Sequence, residues 1–111
     1  MNLQQIDPDI FIGAQISIEN IKTLAQAGFK TIICNRPDHE ELHQPDFSSI
    51  KTVANDYGIK AYHIPISPPT IEKSDVETMQ KILKTASLPL LAYCHHGTRS
   101  RHLYRLARLE S

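Results

Sequence analysis

The stretch that decides the fold is L-L-A-Y-C-H-H-G-T-R-S-R-H-L-Y-R-L-A-R-L, residues 90–109. It opens on four apolar residues and closes on a run rich in leucine, arginine and alanine, so it predicts a strand, a short loop and a helix. The loop holds Cys94 and Gly97 and leads into Arg99. A loop that turns from a strand into a helix points backbone amides inward, which suits an oxyanion. We therefore expect an anion cradle around a reactive thiol.

The rest of the chain alternates between apolar strands and amphipathic helices. Strands are predicted over residues 10–12, 30–34, 60–66 and 88–93, and helices over 17–27, 47–57, 75–85 and from 97–99 onward. This alternation predicts an α/β fold of three layers, a mostly parallel sheet of four to five strands flanked by helices, in one domain spanning residues 1–111. Pro65 places its strand at an edge or at a strand end.

Three segments follow predicted strands and converge on one rim. Ligands of parallel sheets bind beyond the carboxyl ends of the strands. Cys94 lies at one such end, Asn35 and Arg36 at another, and Ser67 at a third. A site at this rim follows from topology without any motif.

The side chains of the loop have expected roles. Cys94 is the expected nucleophile, because a thiolate at a helix N-terminus is stabilised by unpaired N–H groups and by the helix dipole. Arg99 offers a planar fork of donors for a bidentate anion. Ser100 is expected to hydrogen-bond the thiolate or to assist the leaving group. The residues expected to bind the substrate anion are His95, His96, Gly97, Thr98 and Arg36.

The loop has two other possible interpretations. Cys94 as an inert buried thiol is the ordinary outcome for a free cysteine, but the following Gly-Thr-Arg-Ser favours a functional site. A zinc site at Cys94 is disfavoured, because the adjacent His95 and His96 cannot easily bind one ion and no second cysteine lies nearby. We expect no metal and no cofactor.

The composition limits the classes of molecule that the chain is expected to bind. Twelve basic and twelve acidic residues cancel, so no net field points to nucleic acid or to a membrane. No basic leader and no apolar run of about 18 residues is present, and two cysteines do not form a disulfide framework. The expected location is the cytoplasm and the expected partner is a small anionic substrate: thiosulfate, a persulfide or a phosphate ester.

The chain resembles the cysteine-dependent phosphatases in their small dual-specificity form. Within that superfamily it is most similar to the beta-lactamase hydrolase-like protein, phosphatase-like domain family, on Ile-Cys-Asn-Arg-Pro-Asp at 33–38 and Tyr-Cys-His-His-Gly-Thr-Arg-Ser at 93–100. The resemblance implies a cysteine-phosphatase-like fold and a catalytic cysteine. Because some members are fused to other enzymes, it also implies a hydrolase or dioxygenase domain as a candidate partner.

Two departures from the phosphatase pattern shape the functional expectation. Four residues, not five, separate Cys94 from Arg99, which is the spacing of rhodanese-type loops. Residues 67–70, which follow the third predicted strand at the position of the phosphatase acid, include no carboxylate to act as a general acid, and the nearest substitutes are Asp38 and Asp75. The first expectation is therefore a rhodanese-like sulfurtransferase working through a Cys94 persulfide. The alternatives are a phosphatase, a hydrolase working through a Cys94 phosphocysteine, and a non-catalytic anion-binding module.

Three further residues or groups carry expectations of their own. The resemblance implies that the strand ending at Cys34 lies beside the strand ending at Cys94, and Cys34 is expected as a redox partner that resolves oxidised or persulfidated Cys94; the alternative is a packed core thiol. Arg36 is expected to hold substrate or to pair with Asp38. Thin cover over one face of the last helix would favour a homodimer; the residues of that face are Leu103, Leu106 and Leu109.

Overall fold

The computed structural model describes residues 1–110 and contains a five-stranded sheet with two helices on each face. The elements are β1 (Leu3–Asp7), β2 (Ile10–Gly13), α1 (Ile18–Gln26), β3 (Thr31–Cys34), α2 (Phe47–Asp56), β4 (Lys60–His63), α3 (Lys73–Thr85), β5 (Leu90–Tyr93) and α4 (Thr98–Leu109). The strand order is β1-β2-β5-β3-β4. All neighbouring strands are parallel except β1 and β2. The predicted fold class is confirmed.

The sheet has a strand, β1, that the apolar pattern does not predict. Gln4 and Gln5 in its middle are exposed, so the strand lacks the buried run that marks β3 and β5. It pairs antiparallel with β2 across a tight turn at Pro8 and Asp9, where Asp9 has a φ of 62°. An edge strand needs only one partner, and its backbone can pair without apolar side chains.

The end of β4 and the start of α3 differ from the prediction. Strand β4 ends at His63 instead of residue 66, although the backbone of Ile66 still donates to the carbonyl of Asn35 at 3.0 Å. As Pro65 predicts, β4 is an edge strand. Helix α3 begins at Lys73, because Glu72 is its N-cap and forms a reciprocal capping box with Asp75.

The buried strands divide their side chains between two apolar clusters. Because successive side chains point to opposite faces, Leu91 and Tyr93 pack with α1 and α2, while Leu90 and Ala92 pack with α3 and α4. Both faces of the sheet are thus covered. No helix within residues 1–110 has the length and apolarity needed to cross a bilayer.

The outer face of α4 is covered unevenly. Leu103 is fully buried, so the expectation of thin cover is wrong for this residue, which packs in the cluster formed with α3. Leu106 packs partly buried against the same cluster, and Leu109 is 82% exposed. The exposed apolar area is therefore confined to the last turn of the helix, and the homodimer stays a prediction.

Candidate active site

The loop after β5 wraps its backbone around the sulfur of Cys94. The amide of Gly97 donates to Sγ of Cys94 at 3.1 Å, and the Cys94 residue is only 1% exposed. Gly97 is the N-cap of α4 with a φ of 94°, and an added Cβ would lie 3.3 Å from Ile12. A side chain there would be strained and crowded, so the curl of the loop requires glycine. The thiol thus lies at the N-terminus of α4, as predicted.

Arg99 in the first turn of α4 is held by the loops that follow two other strands. Its Nη1 donates to the carbonyl of Ile66 at 3.0 Å and to Oε2 of Glu40 at 2.8 Å, and its Nη2 donates to Oε1 of Glu40 at 2.9 Å. The end of the guanidinium therefore carries a bidentate carboxylate. Glu40 raises the pKa of Arg99, and the Cys94 thiolate adds a smaller contribution in the same direction.

Arg36 is a buried cation with three polar partners. Its side chain is 2% exposed, and its Nε, Nη1 and Nη2 donate to Glu40 at 2.9 Å, Gln15 at 3.1 Å and Glu41 at 2.6 Å. Pairing with Asp38, one of the two expected roles, is not what the structure contains. The carboxylate of Asp38 instead accepts the amide of Phe47 at 2.9 Å, at the start of α2.

The remaining predicted anion-binding residues differ in exposure. His95 is half-buried and its Nε2 lies 2.9 Å from Glu41, while its ring stacks on His96 with 3.8 Å between centroids. His96 and Thr98 are exposed. Ser100 is fully buried, and its Oγ has no hydrogen-bond partner among the described residues. A buried hydroxyl without a partner is unfavourable, which fits a group that bonds only when the site is occupied.

The two carboxylates expected as substitute acids are engaged elsewhere. Asp75 accepts the backbone amide of Glu72 at 2.9 Å in the α3 capping box, and Asp38 accepts the amide of Phe47. The carboxylates that reach the site are Glu40 and Glu41, which the sequence reasoning missed. The sequence does place Glu40 and Glu41 after β3, at the same rim as Asn35 and Arg36. Many polar residues occupy that loop, however, and nothing in the pattern distinguishes these two carboxylates from the others.

Cys34 lies in the core cluster formed with α1 and α2. Its Sγ lies 3.4 Å from the carbonyl of Arg36, and burial is the main cause that raises the pKa of its thiol. The strand that ends at Cys34 pairs with the strand that leads into Cys94, as expected. Its role as redox partner stays a prediction. Peroxide treatment and non-reducing peptide mapping test it, and recovery of only overoxidised Cys94 would count against it.

The Glu40 carboxylate predicts a specific response to acid. Hydrogen bonding from Arg99, reinforced by Arg36, lowers the pKa of Glu40 from 4.5 to about 2. Because the folded value is the lower one, the ionised carboxylate stabilises the fold above the unfolded pKa, and this contribution is lost as pH falls from about 4.5 towards 2. We expect Glu40→Gln to lower the free energy of unfolding at neutral pH and to flatten its decline in that window, measured by urea unfolding. An unchanged decline would contradict this reading.

The sequence comparisons identify relatives over nearly the whole chain. The sequence profile described as "Beta-lactamase hydrolase-like protein, phosphatase-like domain" matches residues 2–110. A beta-lactamase hydrolase-like protein of Agrobacterium fabrum is 37% identical over 106 residues, which are 96% of this chain and 25% of that protein. The chain thus spans about a quarter of the length of the curated relatives it matches.

Solved structures with the same fold include proteins assigned as phosphatases. A Neisseria meningitidis protein so assigned is 42% identical, with a TM-score of 0.82 over 90% of this chain and 71% of its own. A Shewanella putrefaciens protein with the same assignment has a TM-score of 0.81 over 97% of this chain and 68% of its own, and at 21% identity it shows the fold alone. Of these two neighbours only the Neisseria protein bears on the chemistry, and its assignment favours the phosphatase alternative over sulfur transfer.

Proposed function

The chain belongs to the beta-lactamase hydrolase-like protein, phosphatase-like domain family, and on that premise we propose that it is a cysteine-dependent phosphatase. One observation carries the proposal. The sulfur of Cys94 lies under the Gly97 amide at the start of α4, with Arg99 in the next turn. A nucleophile, an inward-pointing amide and a guanidinium are the parts that phosphoryl transfer needs, because its catalysis is mostly positioning and electrostatic stabilisation.

The reaction proceeds in two displacements at phosphorus. The Cys94 thiolate attacks the phosphorus of a phosphate monoester, so that an S–P bond forms and the P–O bond to the leaving group breaks. The leaving oxygen departs with the bonding electron pair and takes a proton from solvent. A water then attacks the phosphocysteine, the S–P bond breaks, and inorganic phosphate and the thiolate are released. Loop amides and Arg99 hold the phosphoryl oxygens throughout.

The supply of protons at the site favours substrates with acidic leaving groups. Residues 67–70 after β4 include no carboxylate, Glu72 and Asp75 form the capping box of α3, and Asp38 accepts the amide of Phe47. Glu40 reaches the site, but with its pKa lowered to about 2 by Arg99 it holds no proton at neutral pH. Since general-acid help is worth about 100-fold or more, we propose aryl phosphates, which need little protonation, as the preferred substrate class over alkyl phosphates.

Hydrolysis of nitrophenyl phosphate and of a simple alkyl phosphate by the wild-type chain tests this proposal. We expect kcat/KM for the aryl ester to exceed that for the alkyl ester by at least about 100-fold, the size of the missing acid contribution. No hydrolysis of either ester would refute the phosphatase. Equal rates would refute the leaving-group argument and would point to an acid at the site.

Sulfur transfer is the second candidate, and one observation favours it. The four residues between Cys94 and Arg99 match the rhodanese-type spacing. In this reaction the thiolate attacks the sulfane sulfur of thiosulfate, the S–S bond breaks, sulfite leaves, and an acceptor thiol later takes the sulfur from the Cys94 persulfide. Incubation with thiosulfate and intact-mass measurement tests it: a gain of one sulfur atom, absent in Cys94→Ser, supports it. Tight sulfate binding with neither activity would favour the anion-binding module.

A further inference from the structure

Glu40 connects the two sequence segments that carry the family resemblance. Its Oε1 accepts from Nε of Arg36 and from Nη2 of Arg99, both at 2.9 Å, and its Oε2 accepts from Nη1 of Arg99 at 2.8 Å. Arg36 belongs to the segment 33–38, and Arg99 belongs to the segment 93–100. One carboxylate thus joins a buried arginine to the arginine of the anion loop.

Arg36 in this arrangement is buried beneath its partners and not accessible to a substrate. Its side chain is 2% exposed, and each of its three nitrogens donates to a side-chain oxygen: Glu40, Glu41 and Gln15. Burial at this level leaves no open path from solvent to the guanidinium, and the three side chains that accept from it separate it from the anion loop. Whatever Arg36 contributes to anion binding must therefore pass through one of its partners.

The donors of Arg99 divide differently. A guanidinium has five N–H groups, and Arg99 uses three of them: two from Nη1, to Glu40 and to the carbonyl of Ile66, and one from Nη2, to Glu40. The Nε–H and the second Nη2–H remain. These two lie on the same side edge and form a fork suited to two oxygens of an oxyanion. Glu40 therefore occupies the end of Arg99 and leaves the side edge available.

The backbone around Glu40 is fixed by its own loop. Oε1 of Gln44 accepts the amides of Glu40 at 3.1 Å and of Glu41 at 3.3 Å, while Nε2 of Gln44 donates to the carbonyl of Pro37 at 2.9 Å. A carboxylate on such a closed loop loses less conformational freedom when it binds an arginine than one on an open surface chain. Glu40 is thus suited to fix the orientation of the Arg99 guanidinium and not only to supply a negative charge.

We propose that Arg36 and Glu40 are positioning residues, and that an Arg36–Glu40–Arg99 relay holds the side edge of Arg99 towards an oxyanion bound at Cys94. The proposal rests on the proposed function only for the identity of the anion as a phosphoryl group. The relay and a purely electrostatic effect of the Glu40 charge predict opposite changes in anion affinity. Removing a negative charge near an anion site raises anion affinity by Coulomb's law, whereas loss of the relay lowers it.

Alkylation of Cys94 by iodoacetate and by neutral iodoacetamide provides the test. The ratio of the two rate constants, measured on the Cys94 peptide, reports how well the site guides an anion to the sulfur, and it needs no phosphoryl turnover. We expect Glu40→Gln to lower this ratio roughly tenfold, as for the loss of charged hydrogen bonds. Glu41→Gln removes the same charge from the same loop and one contact of Arg36, but it leaves both contacts between Glu40 and Arg99 in place, so it should lower the ratio less than Glu40→Gln does. Arg99→Met gives the reference ratio for a site whose arginine no longer attracts the iodoacetate anion to the sulfur.

A double-variant cycle then tests the relay itself. Arg36→Lys should lower the ratio alone and should add little in the Glu40→Gln background, because its path to Arg99 is already broken. If Arg36→Lys lowers the ratio as much in the Glu40→Gln background as it does alone, the relay is overturned. An unchanged or higher ratio in Glu40→Gln would also overturn it. So would a wild-type ratio equal to that of Arg99→Met. If Arg36→Lys does not fold, as judged by thermal unfolding, Arg36→Gln takes its place. If the alkylation ratio is the same in all variants and ester hydrolysis is normal, the relay alone is overturned. If the ratios change as expected but the wild-type chain hydrolyses no ester, the phosphatase proposal alone is overturned.

Discussion

Replacing Cys94 with serine is expected to reduce the hydrolysis of an aryl phosphate by about 10⁴-fold or more, the scale seen when an enzyme loses its nucleophile. A serine hydroxyl is a weak nucleophile at its free pKa, and the contact that the Gly97 amide makes at this position is a donated hydrogen bond, which does not remove the hydroxyl proton. Binding of inorganic phosphate should persist, because the Gly97 amide and Arg99 remain. Steady-state kinetics and calorimetric titration with phosphate measure the two effects separately.

The matched control for this variant is the other cysteine. Cys34 packs in the core cluster beside Tyr93, away from the loop amides that contact Cys94. Cys34→Ala should therefore retain ester hydrolysis in the fraction that folds. Loss of activity in Cys34→Ala with Cys94→Ser still active would mean that the nucleophile has been assigned to the wrong thiol.

The second large effect is expected at Arg99. Substitution with lysine keeps the charge but loses the planar fork, so it cannot hold two phosphoryl oxygens and Glu40 at once. Arginine contacts to a transferring phosphoryl group are worth about 10³-fold or more, and we expect a decrease of that order in kcat/KM with part of the loss in kcat. Kinetics at saturating and at low substrate concentration provide both values.

Arg101 offers a charge-matched comparison on the same helix. Its guanidinium donates to Gln4 on the edge strand β1, and not to the loops around Cys94. Arg101→Lys should leave kcat/KM essentially unchanged. Equal, small effects of Arg99→Lys and Arg101→Lys would show that the site needs only a nearby positive charge, and the bidentate geometry would lose its role.

Most of the sheet could be predicted because its strands are buried on both faces. Strands β3 and β5 are continuous apolar runs, which is what a parallel strand covered by helices requires. Strand β1 could not be found in this way, since Gln4 and Gln5 are exposed and the strand is held by backbone pairing with β2 and by the contact of Gln4 with Arg101. The missed start of α3 has a similar cause: Glu72 caps it in place of the more usual Ser74.

The site was predictable where one local segment builds it and not where distant segments meet. Cys94, Gly97 and Arg99 are close in sequence, and their helix-terminal geometry follows from a strand, a glycine and a helix in succession. The contact between Glu40 and Arg99 joins residues 59 positions apart, and no periodicity marks it. Arg36 was correctly placed at the rim, but its burial beneath Glu40 and Glu41 depends on the fold of loop 38–44.

The identity of the covalent group on Cys94 tests the central claim most directly. Wild-type protein is mixed with an aryl phosphate, denatured rapidly and digested, and the mass of the peptide that contains Cys94 is measured by mass spectrometry. A parallel sample is treated with thiosulfate in place of the aryl phosphate. The phosphatase predicts the mass of a phosphoryl group on this peptide in the first sample, its absence in Cys94→Ser, and no stable sulfur adduct in the second. A peptide that gains one sulfur atom from thiosulfate, with no phosphoryl adduct and no ester hydrolysis, would contradict it.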